Sequence, residues 1–366
     1  MRKLASIQKI EDIRPIEGAD KIVCATVLGW ECVVKKDEFK VGDLVVYIEV
    51  DSKLPEREEF EFMRARKFRV RTIKLRGQVS QGLVLPLSVL PKDGKSIMVG
   101  TDVTKELGII KYDPQAEKER KLMEEKANQH KNKMVRFLAK NSLFRRLFFR
   151  PTREGFPSFI NKTDETRIQN IPRLIEDEQG TKFIITEKLD GQSATFFLVK
   201  GKKTLFGKQK YIFGVCSRNF NLLKEDNSSY WTIARQFNMR SVLSKLIGDK
   251  DFIAIQGEIL GEGIQGNKYK VKGYDFYAFN LVVPECKIDS IKAKEILSEH
   301  GIKFVPILDT DFVLDKSIRE MVEISKGKTV LDVTPKPVRE GLVIRNYDKN
   351  ISFKVINPDF LLKNEE

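Results

Sequence analysis

The stretch FIITEKLDGQSATFFLV, residues 183–199, decides how the rest of the chain is interpreted. Its first half has the bulky, β-branched composition of a buried strand, and its second half predicts another strand. Lys188 lies between the two, at the end of the first strand and before a glycine-containing turn. A lysine amine becomes a nucleophile when burial or nearby positive charge lowers its pKa. The competing interpretation is an ordinary surface lysine at a hairpin, because short motifs also recur by chance.

Length and composition narrow the class of protein. With 366 residues, 41% of them hydrophobic and 32% charged, the chain predicts two soluble globular domains. The N-terminus is polar, and no apolar run reaches membrane-spanning length. The four cysteines form no C-x-x-C pair, which disfavours zinc and disulfide scaffolds and predicts small core residues in the cytoplasm or another reducing intracellular compartment. Two histidines disfavour a Ser-His-Asp or Cys-His mechanism.

The net charge of +14 favours a polyanionic partner, with nucleic acid first and an anionic membrane surface second. The segment Lys111–Arg150 contains 12 Lys or Arg residues against 5 Asp or Glu. Its C-terminal part interleaves arginines with aromatic residues. We interpret the apolar side chains as a helix face that packs on a domain, and some of the charges as RNA contacts. A membrane-binding helix is disfavoured because no lipidation signal accompanies it.

The chain divides into two predicted domains and a linker. Residues 1–108 contain short β-branched runs separated by glycines, which predicts a small β-barrel that binds nucleic acid or, alternatively, only packs against the next domain. Residues 109–150 predict a basic helical linker. Residues 151–366 predict an α+β domain with a large antiparallel sheet. The main predicted strands are 22–27, 32–34, 44–48, 82–85, 183–186, 194–199, 211–216, 252–255, 276–279, 341–344 and 352–356, and the predicted helices are 291–297 and 316–322.

Four further polar clusters stand at strand edges or within a strand and accompany Lys188: Ser217-Arg218-Asn219, Gly257-Glu258, Glu340-Gly341 and Lys354. A nucleophilic lysine, two carboxylates, an arginine and a second lysine are what nucleotidyl transfer needs. The amine attacks an α-phosphorus and pyrophosphate leaves. A divalent cation, held by carboxylates and water, and fixed positive charges neutralise the phosphate oxygens. A cation at Lys354 would also disfavour the ammonium form of Lys188.

A glycine pattern that suggests a different function is rejected on its context. Residues 261–266, GEGIQG, match the dinucleotide fingerprint G-x-G-x-x-G after a predicted strand. That fingerprint requires a helix to open next, but the sequence continues through NKYKVKG into another predicted strand. The chain also contains no G-x-x-x-x-G-K-[ST] motif. Neither a Rossmann site nor a Walker-type ATPase is supported.

The chain resembles covalent nucleotidyltransferases in an ordered series of motifs: EKLDG (187–191), SRN (217–219), GE (257–258) with GIQ (263–265), FYAF (276–279), EGLV (340–343) and SFK (352–354). Within that superfamily, KTDETRIQN (162–170) is similar to RNA ligases and not to capping enzymes. IEGADKI (16–22) resembles the start of tRNA-binding oligonucleotide-binding (OB) modules. An OB-like domain ahead of a nucleotidyltransferase domain resembles the family-5 RNA ligases.

This resemblance implies an ATP-dependent RNA ligase with an α+β fold: an N-terminal OB-like β-barrel, a helical linker and an antiparallel-sheet nucleotidyltransferase domain. It implies ATP and Mg²⁺ or Mn²⁺ as cofactors. Lys188 would form a lysyl-AMP phosphoramidate, AMP would pass to an RNA 5′-phosphate, and a 3′-hydroxyl would displace AMP. The expected partner is RNA, as a nicked duplex or as free ends, and the expected task is strand-break repair in a duplex. We expect a monomer that does not bind membranes.

The resemblance also implies roles for the residues near Lys188. Glu258 and Glu340 would serve the ribose and the metal-bound phosphates, with the metal held largely through water. Arg218 would contact phosphate or ribose, Phe279 would stack on the adenine, and Lys354 would hold the α-phosphate. The turn would shape the adenosine pocket through Glu187, Asp190 and Gly191. The alternative for Phe279 is a core aromatic, because alternating aromatic residues also suit a buried strand face.

One departure from the family pattern concerns its last motif, which often has two lysines separated by one residue. Lys354 instead has Ser352 on one side and Ile356 on the other, and Lys349 or Lys363 are the candidate substitutes.

Three alternative functions stay open. A DNA ligase is disfavoured by the domain order. A GTP-dependent capping-type nucleotidyltransferase shares the chemistry. A non-catalytic RNA-binding protein on the same scaffold would have no physical need to keep the set Lys188, Glu258, Glu340 and Lys354.

Overall fold

The computed structural model describes residues 3–91, 97–112, 152–203 and 206–364, which divide into two compact units. The first consists of the N-terminal residues together with Ile168–Leu174 and the segment that starts at Pro358. The second contains residues 152–167 and Ile175–Asn357. Of the predicted helical linker, 109–150, the structure describes only residues 109–112, in which Ile110–Lys111 is a strand, and the rest lies outside the described residues. The predicted domain boundaries fall in or beside that stretch and stay predictions.

A five-stranded antiparallel sheet forms the body of the first unit. In spatial order β3-β2-β1-β4-β9, its strands are Trp30–Lys35, Ala19–Val27, Ala5–Ile16, Leu44–Ile48 and Leu83–Pro86. The long strand β1 pairs with β4 through its first half and with β2 through its second half, and a bulge near Ile10 separates the halves. Such a bulge bends the strand and lets one sheet curl around a core. Trp30, Tyr47 and Ile10 fill that core and are fully buried.

The first unit also contains shorter elements, which precede and follow β9 in the sequence. Strands β5 (Ser52–Lys53), β6 (Arg69–Val70) and β10 (Ile110–Lys111) form a three-stranded sheet in the order β10-β5-β6. Strands β7 (Ile73–Leu75) and β8 (Gln78–Ser80) form a hairpin. The 3₁₀ segments are Glu58–Arg66 and Leu87–Val89.

Two segments remote in sequence complete the first unit. The 3₁₀ segment Ile168–Asn170 contacts the five-stranded sheet: Trp30 Nε1 donates to Asn170 Oδ1 at 2.9 Å, and Asn170 Nδ2 donates to Glu49 Oε2 at 3.2 Å. The C-terminal helix, Pro358–Asn364, buries its own Phe360. The amide that donates to Glu49 is Asn170 of the KTDETRIQN motif, so the final residue of that motif has a structural role in the first unit.

The second unit contains two sheets. The larger, in the order β11-β16-β15-β14-β17-β18-β19, consists of Arg153–Gly155, Phe220–Leu222, Tyr211–Cys216, Gln192–Lys200, Phe252–Gly261, Tyr274–Val282 and Lys303–Phe304. The smaller, in the order β12-β22-β21-β13-β20, consists of Thr166–Arg167, Ile351–Ile356, Gly341–Asn346, Lys182–Lys188 and Ile307–Val313. Among the described residues the helices, numbered α1 to α6 in chain order, are Leu174–Asp177, Ser229–Gln236, Met239–Leu246, Ser290–Ser298, Ile318–Ser325 and Pro358–Asn364, and further 3₁₀ turns lie at Ile168–Asn170 and Gln265–Asn267.

The chain passes from one sheet to the other at the EKLDG turn. Strand β13, which ends at Lys188, pairs with β20 and β21 of the smaller sheet. Strand β14, which begins at Gln192, pairs with β15 and β17 of the larger sheet. The two strands do not pair with each other, so the alternative of a surface hairpin is wrong. Lys188 lies at the crossing between two sheets, where both can contribute side chains.

Most sequence-based expectations for the fold are confirmed. The class is α+β, and each predicted strand coincides with an observed one, as do the two predicted helices of the C-terminal domain, 291–297 and 316–322. The GEGIQG segment leads into a 3₁₀ turn and then a strand, as its rejection as a dinucleotide site requires. One expectation fails: Cys24, Cys32 and Cys216 are buried, but Cys286 is exposed. In the part of the chain that the structure describes, no helix is long and apolar enough to cross a membrane.

Candidate active site

Hydrogen bonds from the larger sheet hold the turn after Lys188 in place. The backbone N–H of Gly191 donates to Glu258 Oε1 at 3.1 Å, and the N–H of Asp190 donates to the Tyr269 hydroxyl at 3.0 Å. A Cβ at Gly191 would lie 2.4 Å from the carbonyl oxygen of Ile259. Only glycine therefore allows the turn to approach β17 this closely. The turn fixes Lys188 relative to Glu258.

A carboxylate from the smaller sheet meets Lys188 directly. The Lys188 Nζ lies 2.7 Å from Glu340 Oε2, and the two side chains are 27% and 14% exposed. Glu340 immediately precedes β21, whose first residue, Gly341, is the register partner of Lys188. A Cβ at Gly341 would lie 2.2 Å from the carbonyl oxygen of Val355, so the glycine keeps the strands close. Beside them, Asp190 forms an ion pair with Lys268.

The pKa of Lys188 is raised in the structure, contrary to the expectation from sequence. Burial alone lowers it, but the carboxylates of Glu340, Glu258 and Asp190 outweigh burial and stabilise the ammonium form. In the absence of nucleotide, Lys188 is therefore a protonated partner of Glu340. The charge of Lys188 lowers the pKa of Lys354, whereas carboxylates dominate at Lys188 itself.

Burial and neighbouring carboxylates disfavour the ionised forms of the two glutamates. Burial raises the pKa of Glu258 to about 8, with Lys188 opposing and the charges of Glu340 and Asp190 adding to the shift. Burial likewise raises the pKa of Glu340, against the pull of Lys188. Crowded carboxylates of this kind favour a bound cation. Among the described residues, no three His, Cys, Asp or Glu side chains form a closed metal site, so a metal here takes its remaining ligands from water or substrate.

Lys354 lies on the same face of the smaller sheet as Lys188. Cross-strand neighbours share a face, and the register pairs Lys354 with Val343 of β21 and with Arg167 of β12. Burial and the positive charges of Lys188 and Arg167 lower the pKa of Lys354 to about 7. Three cations on one face form a site suited to a polyanionic ligand such as a triphosphate.

Arg167 is a site residue without an assigned role in the sequence interpretation, although it lies inside the KTDETRIQN motif. It is 8% exposed, and its charge acts on Lys354. The signal was present in the sequence, since a motif arginine placed beside the last motif of the domain is a candidate phosphate ligand. What the sequence could not provide is the parallel pairing of β12 with β22, which brings the two cations together.

A buried ionic network extends from this cluster along the same sheet face. Arg345 is 4% exposed, donates to Thr186 Oγ1 at 3.2 Å and lies 3.4 Å from Glu165 Oε1. Lys287 Nζ lies 3.8 Å from the same oxygen. Burial raises the pKa of Glu165, but the two cations outweigh burial, so its net pKa is lowered and it stays ionised. Glu165 therefore neutralises Arg345 and Lys287, and its charge also interacts with that of Lys354.

The other predicted site residues have the following positions. Glu187 is 1% exposed, and its carboxylate accepts from the Val330 backbone N–H at 2.9 Å. Because side chains alternate along a strand, it lies on the opposite face of β13 from Lys188. Burial raises its pKa. Arg218, in the loop after β15, forms an ion pair of 2.6 Å with Asp164.

Phe279 occupies an irregular position in β18. The register with β17 shifts there: Gln256 opposes Asn280, and Gly257 opposes Ala278, so Phe279 is the extra residue of a β-bulge. Bulges re-aim side chains and are common beside active sites. The ring is partly buried and packs against the main hydrophobic cluster of the unit. Both interpretations of Phe279, adenine platform and core aromatic, are compatible with this position.

Two family models match the chain. An OB-fold domain model matches residues 4–87, and an RNA ligase model matches residues 181–356. The first covers the five-stranded sheet of the first unit. The second runs from the start of β13 to the end of β22 and so includes Lys188, Glu258, Glu340 and Lys354. No curated protein sequence matches the chain.

Solved structures of an RNA ligase from Naegleria gruberi are similar over the whole chain. The structure with PPi is 35% identical with a TM-score of 0.78, and the match covers 100% of this chain and 99% of that one. A variant with ATP and Mn is 35% identical, with a TM-score of 0.78 and 100% of both chains covered. A variant with AMP and Mn is 34% identical, with a TM-score of 0.77 and coverage of 100% and 99%. These matches confirm the predicted OB domain and the predicted enzyme class, and the chain belongs to the RNA ligase family.

Proposed function

We propose that this RNA ligase uses ATP and Mg²⁺ or Mn²⁺ to join an RNA 3′-hydroxyl to a 5′-phosphate, with Lys188 as the residue that carries AMP. The observation that supports this most strongly is the position of Lys188 at the crossing of two sheets, bonded to Glu340 and close to Glu258. The similar Naegleria structures contain ATP with Mn, AMP with Mn, and PPi. Those are the substrate and the product groups of adenylyl transfer.

The proposed first step is attack of Lys188 Nζ on the α-phosphorus of ATP. A phosphorus–nitrogen bond forms, the bond to the bridging oxygen of the β-phosphate breaks, and pyrophosphate leaves. The amine must first lose its proton, and Glu340 at 2.7 Å is the neighbouring acceptor. Lys354 and Arg167 lie on the same sheet face and supply fixed positive charge to the phosphate oxygens.

In the second step, an oxygen of the RNA 5′-phosphate attacks the phosphorus of lysyl-AMP, and the phosphorus–nitrogen bond breaks. Lys188 leaves as an amine and takes a proton. In the third step, the RNA 3′-hydroxyl attacks the 5′-phosphate of the activated end, a phosphodiester bond forms and AMP leaves. Both later steps again displace a group at phosphorus, so the same fixed charges serve all three.

The metal fits the carboxylates of Glu258 and Glu340, because burial and neighbouring carboxylates raise their pKa values and a nearby cation would stabilise their ionised forms. When bound, largely through water, a divalent cation supplies positive charge to the triphosphate and to both glutamates. The glutamates also lie in position to accept hydrogen bonds from a ribose, which is their second proposed role.

The remaining proposed roles concern nucleotide recognition. Arg218 contacts phosphate or ribose when it exchanges its surface partner Asp164 for substrate. Phe279 stacks on adenine from the β-bulge. Asp190 and Gly191 form the turn at the edge of the adenosine pocket, and Glu187 shapes it from behind by holding the backbone of Val330.

We further propose that the RNA is a nicked duplex and that the enzyme repairs strand breaks as a monomer in a reducing intracellular compartment. The nucleic-acid partner is supported by the +14 net charge and by the OB-fold domain that precedes the ligase domain. The reducing compartment is supported by three buried cysteines that form no disulfide.

Incubation with [α-³²P]ATP or [α-³²P]GTP and Mg²⁺ or Mn²⁺, followed by denaturing gel electrophoresis, tests the proposal. We expect an acid-labile label from ATP on the wild-type protein and a loss of at least about a thousandfold in Lys188→Ala, because the nucleophile is removed. Lys182→Ala, which removes an exposed lysine from the same strand, is the matched control and should label normally. An undiminished band in Lys188→Ala, or no band in the wild type, would contradict the proposal.

A further inference from the structure

The first unit contains a segment of concentrated positive charge. Seven of the thirteen residues from Arg64 to Arg76 are Lys or Arg, and none is acidic. They are Arg64, Arg66, Lys67, Arg69, Arg71, Lys74 and Arg76. The segment runs from the end of a 3₁₀ helix through β6 and β7 to the tip of the β7–β8 hairpin. Positive charge at this density is costly unless a polyanion or neighbouring acids offset it.

Neighbouring acids offset part of this charge. Arg64 is paired with Glu61 and Glu56, which lie just before the segment. The structure records no salt bridge within its described residues for the other exposed cations of the segment, which are Arg66, Lys67, Lys74 and Arg76. Their charge faces solvent without a fixed partner.

Lys53 joins the segment across the three-stranded sheet. It lies directly opposite Arg69 in the register of β5 and β6. Like charges placed directly opposite on adjacent strands destabilise a sheet, so the arrangement has a cost in the free protein. Arg69 is also stacked on Tyr112, with its guanidinium carbon 3.7 Å from the ring centroid. This stacking fixes the guanidinium plane in a partly exposed position.

The hairpin that carries Lys74 and Arg76 is anchored to the five-stranded sheet. Val33 N donates to Ser80 Oγ at 2.9 Å, and Gln78 Nε2 donates to Glu31 Oε2 at 2.8 Å. The turn at its tip has positive φ at both Arg76 and Gly77, as in tight two-residue hairpin turns. The tip cation therefore lies on a short, defined element.

OB folds commonly bind oligonucleotides on the side of the barrel formed by β2 and β3. In this protein, other segments of the same chain contact β3. The β7–β8 hairpin packs along β3 through the hydrogen bonds above. At the start of β3, Gly29 N donates to Gln169 O at 3.4 Å and Trp30 donates to Asn170. Exposed charge at the far end of β3 is mixed, with Lys35 and Lys36 followed by Asp37 and Glu38. These observations point away from β2 and β3 as the main contact for a polyanion.

We propose that a basic strip, defined as Lys53, Arg66, Lys67, Arg69, Lys74 and Arg76, binds the phosphate backbone of the RNA substrate without reading its sequence. The identity of the partner as RNA rests on the proposed function. Lysine and arginine side chains on rigid elements bind phosphates and position a duplex, whereas sequence readout needs contacts to the bases. An anionic membrane carries charge of the same sign, and the family assignment favours RNA.

Two charge-reversal variants of the full-length protein test the proposal: Arg66→Glu with Lys67→Glu, and Lys74→Glu with Arg76→Glu. The matched control is Lys35→Glu with Lys36→Glu, which makes the same change in net charge at exposed positions on the same unit. Binding to a fluorescent nicked RNA duplex is measured over a range of salt concentrations. Equal melting temperatures of all variants establish that they fold.

We expect each strip variant to weaken RNA binding by at least about tenfold and to reduce the slope of log affinity against log salt by about two, because two phosphate contacts are lost. The control should change affinity by no more than about threefold. Labelling by [α-³²P]ATP without RNA should be the same in all variants as in the wild type. Absence of labelling in the wild type itself would refute the proposed function and not the role of the basic strip. Wild-type affinity and slope in the strip variants would overturn the inference, as would an equal loss in the control. Loss of binding to anionic vesicles with unchanged RNA binding would assign the strip to a membrane surface.

Discussion

The lysines and arginines around Lys188 differ from those of the basic strip in burial and in partners. Lys188 is paired with Glu340, and Arg345 is paired with Glu165. Burial, together with the charges of Lys188 and Arg167, lowers the pKa of Lys354 to about 7. The strip cations Arg66, Lys67, Lys74 and Arg76 are exposed. Buried charges at fixed distances suit the stabilisation of a transition state, because water does not screen them. Exposed charges suit salt-dependent binding of a polyanion.

The comparison can be broken at Lys354. We expect Lys354→Met to reduce labelling by [α-³²P]ATP at least about a hundredfold, since a fixed charge near the phosphates is lost. The same variant should be more stable than the wild type near neutral pH, by roughly 2–4 kcal/mol, because methionine fills the volume of a buried cation without its charge. None of the strip substitutions should raise stability in this way.

The pH dependence follows from the direction of the pKa shift. The pKa of Lys354 is about 7 in the folded protein against an ordinary value of 10.5, so the unfolded chain binds more protons between those values. The cost of Lys354 is fully present below about 7 and disappears as pH rises toward 10.5. Urea unfolding of the wild type and Lys354→Met at several pH values measures this. A stability difference that does not shrink with rising pH would contradict the account.

Glu165 allows a buried ion pair to be compared with an exposed one by their contributions to stability. We expect Glu165→Gln to lower the free energy of unfolding by roughly 3 kcal/mol, because Arg345 and Lys287 would lose the carboxylate that neutralises them in a buried position. The control is Asp311→Asn, which breaks the exposed pair with Lys182 and should change stability little. Urea unfolding at neutral pH measures both. Equal effects of the two substitutions would show that burial does not distinguish these pairs.

The sequence was sufficient for the parts of the fold and site that depend on local pattern. Runs such as Phe183–Thr186 and Ala194–Val199 have the β-branched and aromatic composition of strands, and the glycine of EKLDG marks the turn between them. Strand β1 was not predicted, because its sequence ASIQKIEDIRPI mixes charged and apolar residues without a clean alternation. Its bulge interrupts the period of two, and only tertiary pairing with β2 and β4 makes it a strand.

The parts that the sequence missed depend on contacts between distant segments. The pairing of Arg167 with Lys354 and the contact of Glu165 with Arg345 join residues far apart in the chain. The pKa of Lys188 was expected to fall because Lys354 was weighed as its neighbour, whereas three carboxylates lie close enough to dominate. Electrostatic balance depends on distances that composition does not contain. The exposed position of Cys286 was not foreseen because composition does not show that this cysteine lies in the loop between β18 and the next helix.

The central claim is that Lys188 is the residue that carries AMP. Wild-type protein incubated with ATP and Mg²⁺ without RNA, digested under conditions that preserve the phosphorus–nitrogen bond and analysed by mass spectrometry, tests it most directly. The account predicts one peptide heavier by a single AMP group, with fragment ions that place the group on Lys188, and loss of the group when a nicked RNA duplex is added. AMP on a different lysine, or no adduct on any peptide, would contradict it.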